Sequence, residues 1–424
     1  MKASKSLPLG HKIMQIRNSK GLSQDNVALA IGRNNKFVSR IENGQTEISP
    51  AVLEGLRRYL KVESAPLLDY ELELYEQRLW MCSEMLDAFR IEEAKKRLHD
   101  LASILDLPYE YNLIFIYSML EIRLLFAEAN IPEAEKKLGD IEHLVDKASD
   151  RALYIYHMNK GYIYTFHQYH KHALYHYEKA RELIGDSKPE MKLLTNLGVA
   201  YYNRGNVYHA IRYYERAIEE YQGDNVNIAL PNTKKLLALC YVRIGENSKA
   251  IKILDTVIPQ MKIIGGNAML GEALQIKGVV SHNEGNYDEA ITIFDEALEH
   301  LKIDKRAYVH ALSSKTVTLR KLKRFADVQK AIETTRLMAA DNERLSMILD
   351  SAGCLASLRD PDSIRFLEDV AISYYRDLGG IHNYMAIDIC RELKDHYDKK
   401  KSKINALTIS DIMRQIYDEL YFHE

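Results

Sequence analysis

Several residue types are scarce in this chain of 424 residues, and each scarcity excludes a class of structure. Only nine prolines occur in the whole chain, which leaves room for long uninterrupted helices. The four cysteines are scattered and form no CxxC pair, so disulfide frameworks and zinc ribbons are excluded. We therefore predict reduced core thiols in a cytosolic protein, with a single redox-sensing thiol as the alternative.

Long apolar runs are also missing. The N-terminal residues lack the apolar segment of a signal peptide. The most apolar window, 112–127, contains Glu121 and Arg123 and is too short to span a bilayer. We therefore expect a cytoplasmic protein with no membrane partner.

Motifs for enzyme chemistry are absent as well. The sequence contains no GxxxxGK[ST] phosphate loop, no GxSxG nucleophile motif and no HExxH zinc motif. Five histidines cluster between residues 157 and 176, with His172 and His176 on one helix face, but no cysteine or carboxylate completes a ligand set at matching spacing. We therefore expect a non-enzyme without metal or cofactor.

The net charge of −2 conceals an uneven distribution. Residues 1–62 hold eleven Lys and Arg against four Asp and Glu, a balance of +7, and the rest of the chain carries −9. A basic head on an acidic body predicts an anionic partner for the head alone.

A helical hairpin pattern recurs along most of the chain. Its clearest copy spans 193–217, with Gly198 and Tyr201 on the first helix and Ala210 and Tyr214 on the second. This pattern resembles a tetratricopeptide (TPR) repeat, whose apolar faces need neighbouring repeats to cover them. Three further strong copies, spaced by 37 to 40 residues, carry small residues at the same places: Gly161, Ala173, Ala238, Ala250, Gly278 and Ala290.

Weaker copies extend the array in both directions. They are marked by paired positions on the second helix, at Ala94 and Leu98, Ala134 and Leu138, Val328 and Ile332, and Ser363 and Leu367. A C-terminal helical segment is expected to cap the array. We predict an all-α fold, in which an N-terminal helix-turn-helix domain precedes a right-handed TPR superhelix of about eight to nine repeats.

The basic head has the pattern of four short helices. Ser23 caps the second helix, with Asn26 where a full capping box has Glu or Gln. Gly32 makes the turn to the third helix, which ends at Asn43-Gly44, and Pro50 opens the fourth.

The segments Leu22 to Gln24 and Ser39 to Gly44 closely resemble the helix-turn-helix of the Cro/repressor (XRE) family. The resemblance implies that the third helix enters the DNA major groove and the second crosses the phosphate backbone. It places base contacts at Asn35, Lys36, Arg40 and Ser39, and phosphate contacts at Gln24 and Asn43.

One such module offers limited affinity, so a homodimer that reads two half-sites is expected. The alternative is a head that serves only as a dimer contact, with Arg40 and Glu42 paired on its surface.

The resemblance to TPR proteins also implies a binding groove lined by the first helix of each repeat. Counting the repeat glycine as position eight, Asn159 and Asn196 fall at position six, where TPR peptide binders place an Asn against the peptide backbone. An Asn there could instead be solvated or bridge adjacent repeats. The mixed lining suits a short peptide with an acidic or carboxylate end. The same register assigns to the groove or its rim Arg123, Tyr162, Tyr202, Asn203, Lys235, Arg243, Gln275, His282 and Asn283.

We divide the chain into a helix-turn-helix domain at 1–63, a linker at 64–74 and a TPR domain at 75–424. The linker is too short for a flexible tether, so a ligand in the array would be able to control the head. A Cro-type head on a TPR array resembles the quorum-sensing receptors of Gram-positive bacteria known as the RRNPP family (Rgg, Rap, NprR, PlcR, PrgX), and its NprR-type members above all.

This resemblance implies a regulator that binds a re-imported, secreted signalling peptide in the groove. The peptide then changes the oligomeric state, a dimer or a tetramer, and controls promoter DNA binding at extracellular protease genes. A second role, without peptide, is to bind the sporulation phosphorelay response regulator and promote its dephosphorylation. Gln77 is the nearest counterpart of the glutamine that Rap proteins use. Two alternatives stay open, a Rap-like protein-binding regulator and a TPR adaptor with no sequence-specific DNA role.

Overall fold

The computed structural model describes residues 7–88, 90–107, 109–185, 190–221, 229–265 and 267–421. All regular secondary structure in these ranges is helical, which confirms the predicted all-α fold. The chain divides into two compact units. Unit 1 comprises Met1–His167 and Tyr175–Ser187, and unit 2 comprises Gln168–Leu174 and Lys188–Glu424. No helix within the described ranges is long and apolar enough to cross a bilayer.

Unit 1 begins with the four predicted short helices, α1 (Leu9–Ser19), α2 (Gln24–Ala30), α3 (Asn35–Glu42) and α4 (Pro50–Tyr59). At the start of α2, Ser23 Oγ accepts a hydrogen bond from the Asn26 N–H (3.1 Å), and Asn26 Oδ1 accepts one from the Ser23 N–H (2.9 Å). Asn26 therefore completes the reciprocal capping box that the sequence suggested only in half, because its amide oxygen reaches the same donor as a Glu carboxylate.

Helical hairpins make up the rest of unit 1. They are α5 (Asp69–Asp87) with α6 (Ile91–Asp100), α7 (Tyr111–Ala127) with α8 (Ile131–Ile141), and α9 (Asp150–Phe166) with α10 (His170–Ile184), whose first turn belongs to unit 2.

Unit 2 continues the same pattern. Its helices are α11 (Met191–Asn203), α12 (Val207–Glu219), α13 (Ala229–Arg243), α14 (Asn247–Ile264), α15 (Asn267–Asn283), α16 (Tyr287–His300), α17 (Lys305–Lys321), α18 (Phe325–Ala339), α19 (Glu343–Ala356), α20 (Pro361–Phe366), α21 (Ile372–Leu378), α22 (Asn383–Lys399) and α23 (Lys403–Tyr421). Together with unit 1, the described helices account for the predicted eight to nine repeats.

The repeat signature is explained by a close contact between a glycine and an aromatic ring. A β-carbon at Gly198 would lie 2.5 Å from Cε1 of Tyr214, so the ring packs directly on the α11 backbone. In the hairpin of α13 and α14, Ala238 takes the place of the glycine and Leu254 that of the ring, and both are fully buried. Alanine is larger than glycine and leucine is smaller than the aromatic ring, so the hairpin stays close-packed. The glycine and ring contact recurs between Gly161 and Tyr177 and between Gly278 and Phe294.

The C-terminal helices of unit 2 do more than cap the last repeat. A single core cluster joins Tyr214 and Cys240, from α12 and α13, to Ile387, Leu393 and Ile416, from α22 and α23. All five side chains are buried. The end of the chain therefore packs on repeats that lie far earlier in the sequence.

Candidate DNA-binding and peptide-binding sites

The candidate DNA-binding surface is the exposed face of α3. Val38 and Ile41 point into the core of the head and are buried. Asn35, Lys36 and Arg40 lie on the opposite side and are exposed. The predicted base-reading side chains therefore share one accessible face of α3, and the opposite face packs against the core of the head.

The cations of this face have no acidic partner in the part of the chain that the structure describes. Neither Lys36 nor Arg40 lies within ion-pair distance of a carboxylate there. The same holds for Arg33, which the sequence analysis missed, and its guanidinium carbon lies 5.4 Å from the centre of the Phe37 ring. Three unpaired cations are available for phosphates or base edges.

The remaining polar residues of the face take part in local hydrogen bonds. Asn35 Nδ2 donates to Asp25 Oδ1 (2.7 Å), and Asn43 Nδ2 donates to the Ser39 carbonyl (2.8 Å). Asn35 and Asn43 are exposed and Ser39 is half-buried. Their contacts with DNA stay predictions.

The alternative pairing of Arg40 with Glu42 is wrong. Glu42 is only 1% exposed and points into the head, where it accepts hydrogen bonds from Arg17 Nε (2.6 Å) and Gln24 Nε2 (2.7 Å). One N–H of the Gln24 amide is therefore used inside the head, and the other is left for the predicted phosphate contact.

A buried lysine joins the head to the first repeats. Lys12 of α1 is 0% exposed, and its Nζ lies 2.9 Å from the Leu67 carbonyl oxygen, 3.3 Å from Asp69 Oδ1 and 3.8 Å from Glu110 Oε1. Burial raises the pKa of Glu110, and the charge of Lys12 acts in the opposite direction. A buried ammonium group needs such partners, so these contacts fix the head in place.

A second set of contacts orders the segment between α4 and α5. Arg57 donates to the Ala65 carbonyl (2.7 Å) and pairs with Glu71, which also accepts from the N–H groups of Leu67 and Leu68. Burial alone would raise the pKa of Glu71, but these hydrogen bonds outweigh it and the pKa is lowered. The segment is therefore packed and hydrogen-bonded along its length.

The predicted peptide-binding residues of unit 1 differ in accessibility. Arg123 donates to Ser83 Oγ (2.8 Å) and Asp87 Oδ1 (2.6 Å), which ties α7 to α5. Tyr162 is exposed, with its ring centre 4.6 Å from that of Phe126. Tyr162 is therefore accessible to a ligand, whereas Arg123 is engaged within the repeats.

Two predicted groove residues are buried, which corrects the assignment made from the register. Asn159 is 3% exposed and its Nδ2 donates to the Met119 carbonyl (3.1 Å), so it bridges adjacent repeats. Lys235 is 4% exposed and pairs with Glu272. Asn196, at the same repeat position as Asn159, is half-buried and has no hydrogen-bond partner among the described residues.

The residues near the end of α11 and α13 meet the C-terminal helices. The Arg243 guanidinium lies 4.9 Å from the Tyr384 ring centre and 3.7 Å from Asp388 Oδ2. Burial raises the pKa of Tyr202, beside Arg243. A β-carbon at Gly380 would lie only 2.3 Å from the Asn203 carbonyl oxygen. The chain's own C-terminal region therefore covers this part of the predicted groove.

The predicted residues of α15 line up along its contact with α17. Gln275 Nε2 donates to Ser314 Oγ (3.2 Å), and His282 Nδ1 lies 2.9 Å from Thr318 Oγ1. Burial, followed by nearby cations, lowers the pKa of His282. Asn283 is exposed at the end of the helix. Gln275 and His282 therefore bridge repeats, and peptide contacts by these three residues stay predictions.

The comparisons with known proteins follow the same two-part division. The helix-turn-helix family model matches residues 13–67, and tetratricopeptide repeat models match 191–224 and 271–299. The transcriptional activator NprA of Geobacillus stearothermophilus is 24% identical over 270 residues, which are 63% of this chain and 64% of NprA. The matches show a helix-turn-helix domain followed by tetratricopeptide repeats, which agrees with the resemblance to the RRNPP family. The match spans less than two thirds of the length of NprA.

Solved structures resemble the fold of this chain. A Rap protein complexed with competence and sporulation factor has a TM-score of 0.74 at 16% identity, covering 83% of this chain and 100% of that one. NprR in complex with its cognate peptide NprX has a TM-score of 0.65 at 18% identity, covering 80% and 99%. At such identities the likeness shows the fold alone.

Proposed function

We propose that this chain is a peptide-responsive transcription regulator of the cytoplasm. A short, secreted and re-imported signalling peptide binds the TPR groove, changes the oligomeric state and thereby controls promoter binding at extracellular protease genes. The observation that carries the proposal is the fixed attachment of the head to the first repeats. The unpaired cations of α3 belong to a head that Lys12 fixes to the first repeats, without a free tether. The transcriptional activator NprA and the peptide complex of NprR support this proposal.

Double-stranded DNA is the proposed partner of α3. The head carries +7 over residues 1–62, so retention of promoter fragments should weaken steeply as salt rises. We expect Arg40→Ala to weaken binding by about 1–3 kcal/mol, roughly 5-fold to 150-fold, because a bidentate base contact is lost. Arg58→Ala is the matched control, since Arg58 lies on α4 and pairs with Glu54. Equal binding by the wild type and the Arg40 variant would rule out the assigned base contact.

The proposed peptide response is tested by measuring the mass of the oligomer and by substituting residues of the groove. Light scattering with and without a peptide extract of the host's spent medium should show a change of mass, accompanied by a change in promoter retention. Asn196→Ala should abolish the response, because its amide is available to a peptide backbone. Asn159→Ala is the control that should lower stability instead. If hydrogen exchange across residues 60–90 is the same with and without peptide, coupling between the groove and the head is contradicted.

A second role, response-regulator binding in the absence of peptide, is favoured by one surface. Gln77 is exposed on α5 together with the apolar side chains of Tyr70, Leu74 and Met81. An exposed apolar stripe around a polar amide suits a protein partner. In a dephosphorylation assay with the phosphorylated sporulation response regulator, Gln77→Ala should lose activity and Gln45→Ala should keep it. Full activity of the Gln77 variant would remove this residue from the mechanism.

A further inference from the structure

Unit 2 gathers basic side chains from four separate segments of the chain. They come from the start of α10, the first two turns of α17, the first turn of α19 and the turn before α22. His382 Nε2 lies 3.4 Å from Gln168 Oε1, which connects the first of these segments to the last. We call this set the His–Arg cluster: His170, Arg306, His310, Arg344 and His382.

The members of the cluster act on one another electrostatically. Burial lowers the pKa of His170, His310 and His382 to about 4 each, and the charge of Arg306 acts on all three in the same direction. Arg344 acts likewise on His170 and His382. The imidazoles are therefore neutral at pH 7, while the two guanidinium groups stay charged.

The two arginines lack the partners that other arginines of unit 2 have. Arg243, Arg320 and Arg376 each pair with a carboxylate. Among the described residues, neither Arg306 nor Arg344 lies within ion-pair distance of one. Uncompensated cations that lie near one another attract an anion.

One further atom of the cluster is unsatisfied. The Nδ1 of His170 is buried and has no hydrogen-bond partner in the described part of the chain. Arg306 is exposed, and the three histidines are half-buried, so the cluster remains open to a ligand. Asp304, near His310, and Tyr374, which interacts with Arg344, are the other ionisable groups that act here.

A metal ion does not explain the cluster. No group of three or more His, Cys, Asp or Glu side chains in the described ranges has the arrangement to hold one. Guanidinium groups also repel a cation, whereas they offer planar pairs of donors to carboxylate and phosphate oxygens.

We propose that the His–Arg cluster is a binding site for an anion of the carboxylate or phosphate class, held by Arg306 and Arg344 with the histidines as further donors. The bound negative charge favours the protonated imidazoles, so binding takes up protons from solution. A carboxylate would come from the end or an acidic side chain of a short peptide, and in that form the proposal rests on the proposed function. A phosphate would come from solution or from a small phosphorylated molecule.

The site is tested on the full chain with inorganic phosphate as the first probe. The histidines are labelled with ¹³C, and the resonances of the cluster are assigned with single His→Gln variants. Phosphate should shift the three cluster resonances with one saturation curve and raise each pKa by about 1–3 units. The double variant Arg306→Gln, Arg344→Gln should lose the effect. Arg336→Gln should keep it, because Arg336 is an exposed arginine that is paired with Asp350.

Two peptide pools distinguish the sources of the anion. One is a heptapeptide library with free C-terminal carboxylates and the other is the same library as C-terminal amides. Competition with phosphate by the free acids alone would support a peptide terminus as the ligand. Saturation by phosphate with no competition from either pool would support a free anion and count against peptide binding at this site, which separates it from the proposed function.

Other results would overturn the proposal. Phosphate shifts that do not saturate, or that persist unchanged in the double arginine variant, would show adventitious ion binding only. Peptide binding that leaves the three histidine resonances unmoved would preserve the proposed function and remove the cluster from it.

Discussion

Two charged junctions hold distant parts of this chain together, and they differ in burial. In unit 1, Lys12 is completely enclosed between the head and the first repeats. In unit 2, Arg243 of α13 meets Asp388 of α22, and their side chains are 25% and 53% exposed. Burial raises the pKa of Asp388, and the charge of Arg243 acts in the opposite direction. A buried charge that loses its partner is strongly destabilising, whereas pairs open to water contribute little. The first junction is therefore built to persist, and the ionic part of the second is able to open.

The two junctions therefore have different structural roles. The head follows the first repeats as one body because its lysine cannot be released without leaving charges buried in unit 1. The contact of α22 with the earlier repeats of unit 2 combines an apolar core with ion pairs that range from mostly buried to half-exposed. Less free energy is therefore needed for a ligand to displace Asp388 from Arg243 than to detach the head from the first repeats.

Breaking the first junction should have the largest effect. We expect Lys12→Met to lower the free energy of unfolding by about 3–5 kcal/mol, because Glu110, whose side chain is only 16% exposed, is left without its cation. Denaturant unfolding followed by circular dichroism measures the change. Lys20→Met, at an exposed position of the head, should be neutral. Adding Glu110→Gln to the Lys12 variant should recover part of the loss, and failure to recover any would argue against this charge pair.

The apolar packing within a repeat of unit 2 can be compared with its charged junction. We expect Gly198→Ala to lower the free energy of unfolding by about 1–3 kcal/mol, since a β-carbon collides with Tyr214. Gly139→Ala is the matched control, because Gly139 lies in α8 and, among the described residues, no atom outside the local helix backbone lies within 4 Å of the added carbon. This control should raise the free energy of unfolding by up to ~1 kcal/mol. Equal effects of the two substitutions would contradict the packing explanation of the repeat signature.

The smallest effect is expected at the second junction. Asp388→Asn should change the free energy of unfolding by about 1 kcal/mol or less, because the pair with Arg243 is open to water. Hydrogen exchange in α22 should nevertheless become faster, since the helix loses contacts across to α13. Asp362→Asn is the control, as Asp362 is exposed and pairs with Arg365 of its own helix. Unchanged exchange in α22 would show that the apolar core alone keeps the junction closed.

Local patterns explain most of what the sequence predicted correctly. The helix-turn-helix follows from caps and turn glycines, and the repeats follow from small and aromatic residues placed 16 positions apart, such as Gly198 and Tyr214. Each of these features depends on neighbours within one hairpin. The fold class was therefore predictable without knowledge of any long-range contact.

The site was less predictable, because burial depends on the adjacent repeat. Asn159 and Asn196 have the same repeat position, yet Asn159 reaches the Met119 carbonyl of α7 and Asn196 has no such partner among the described residues. Lys12 looks like a surface residue in the sequence, and its partners lie more than 50 positions away. The return of the C-terminal helices to α12 and α13 is a contact of the same long-range kind.

Under the proposed function, the enclosed position of Lys12 has a consequence for the arrangement of operators. A head without a free tether cannot adjust its position on DNA independently of the repeats that carry it. In an oligomer, the distance between two such heads is then fixed by the assembly, and half-sites must match it in multiples of about 10 base pairs. Under the proposed function, the spacing of half-sites in the promoter would therefore match the distance between the two heads of the assembly. An insertion of ~5 base pairs between half-sites would rotate one site to the opposite side of the duplex.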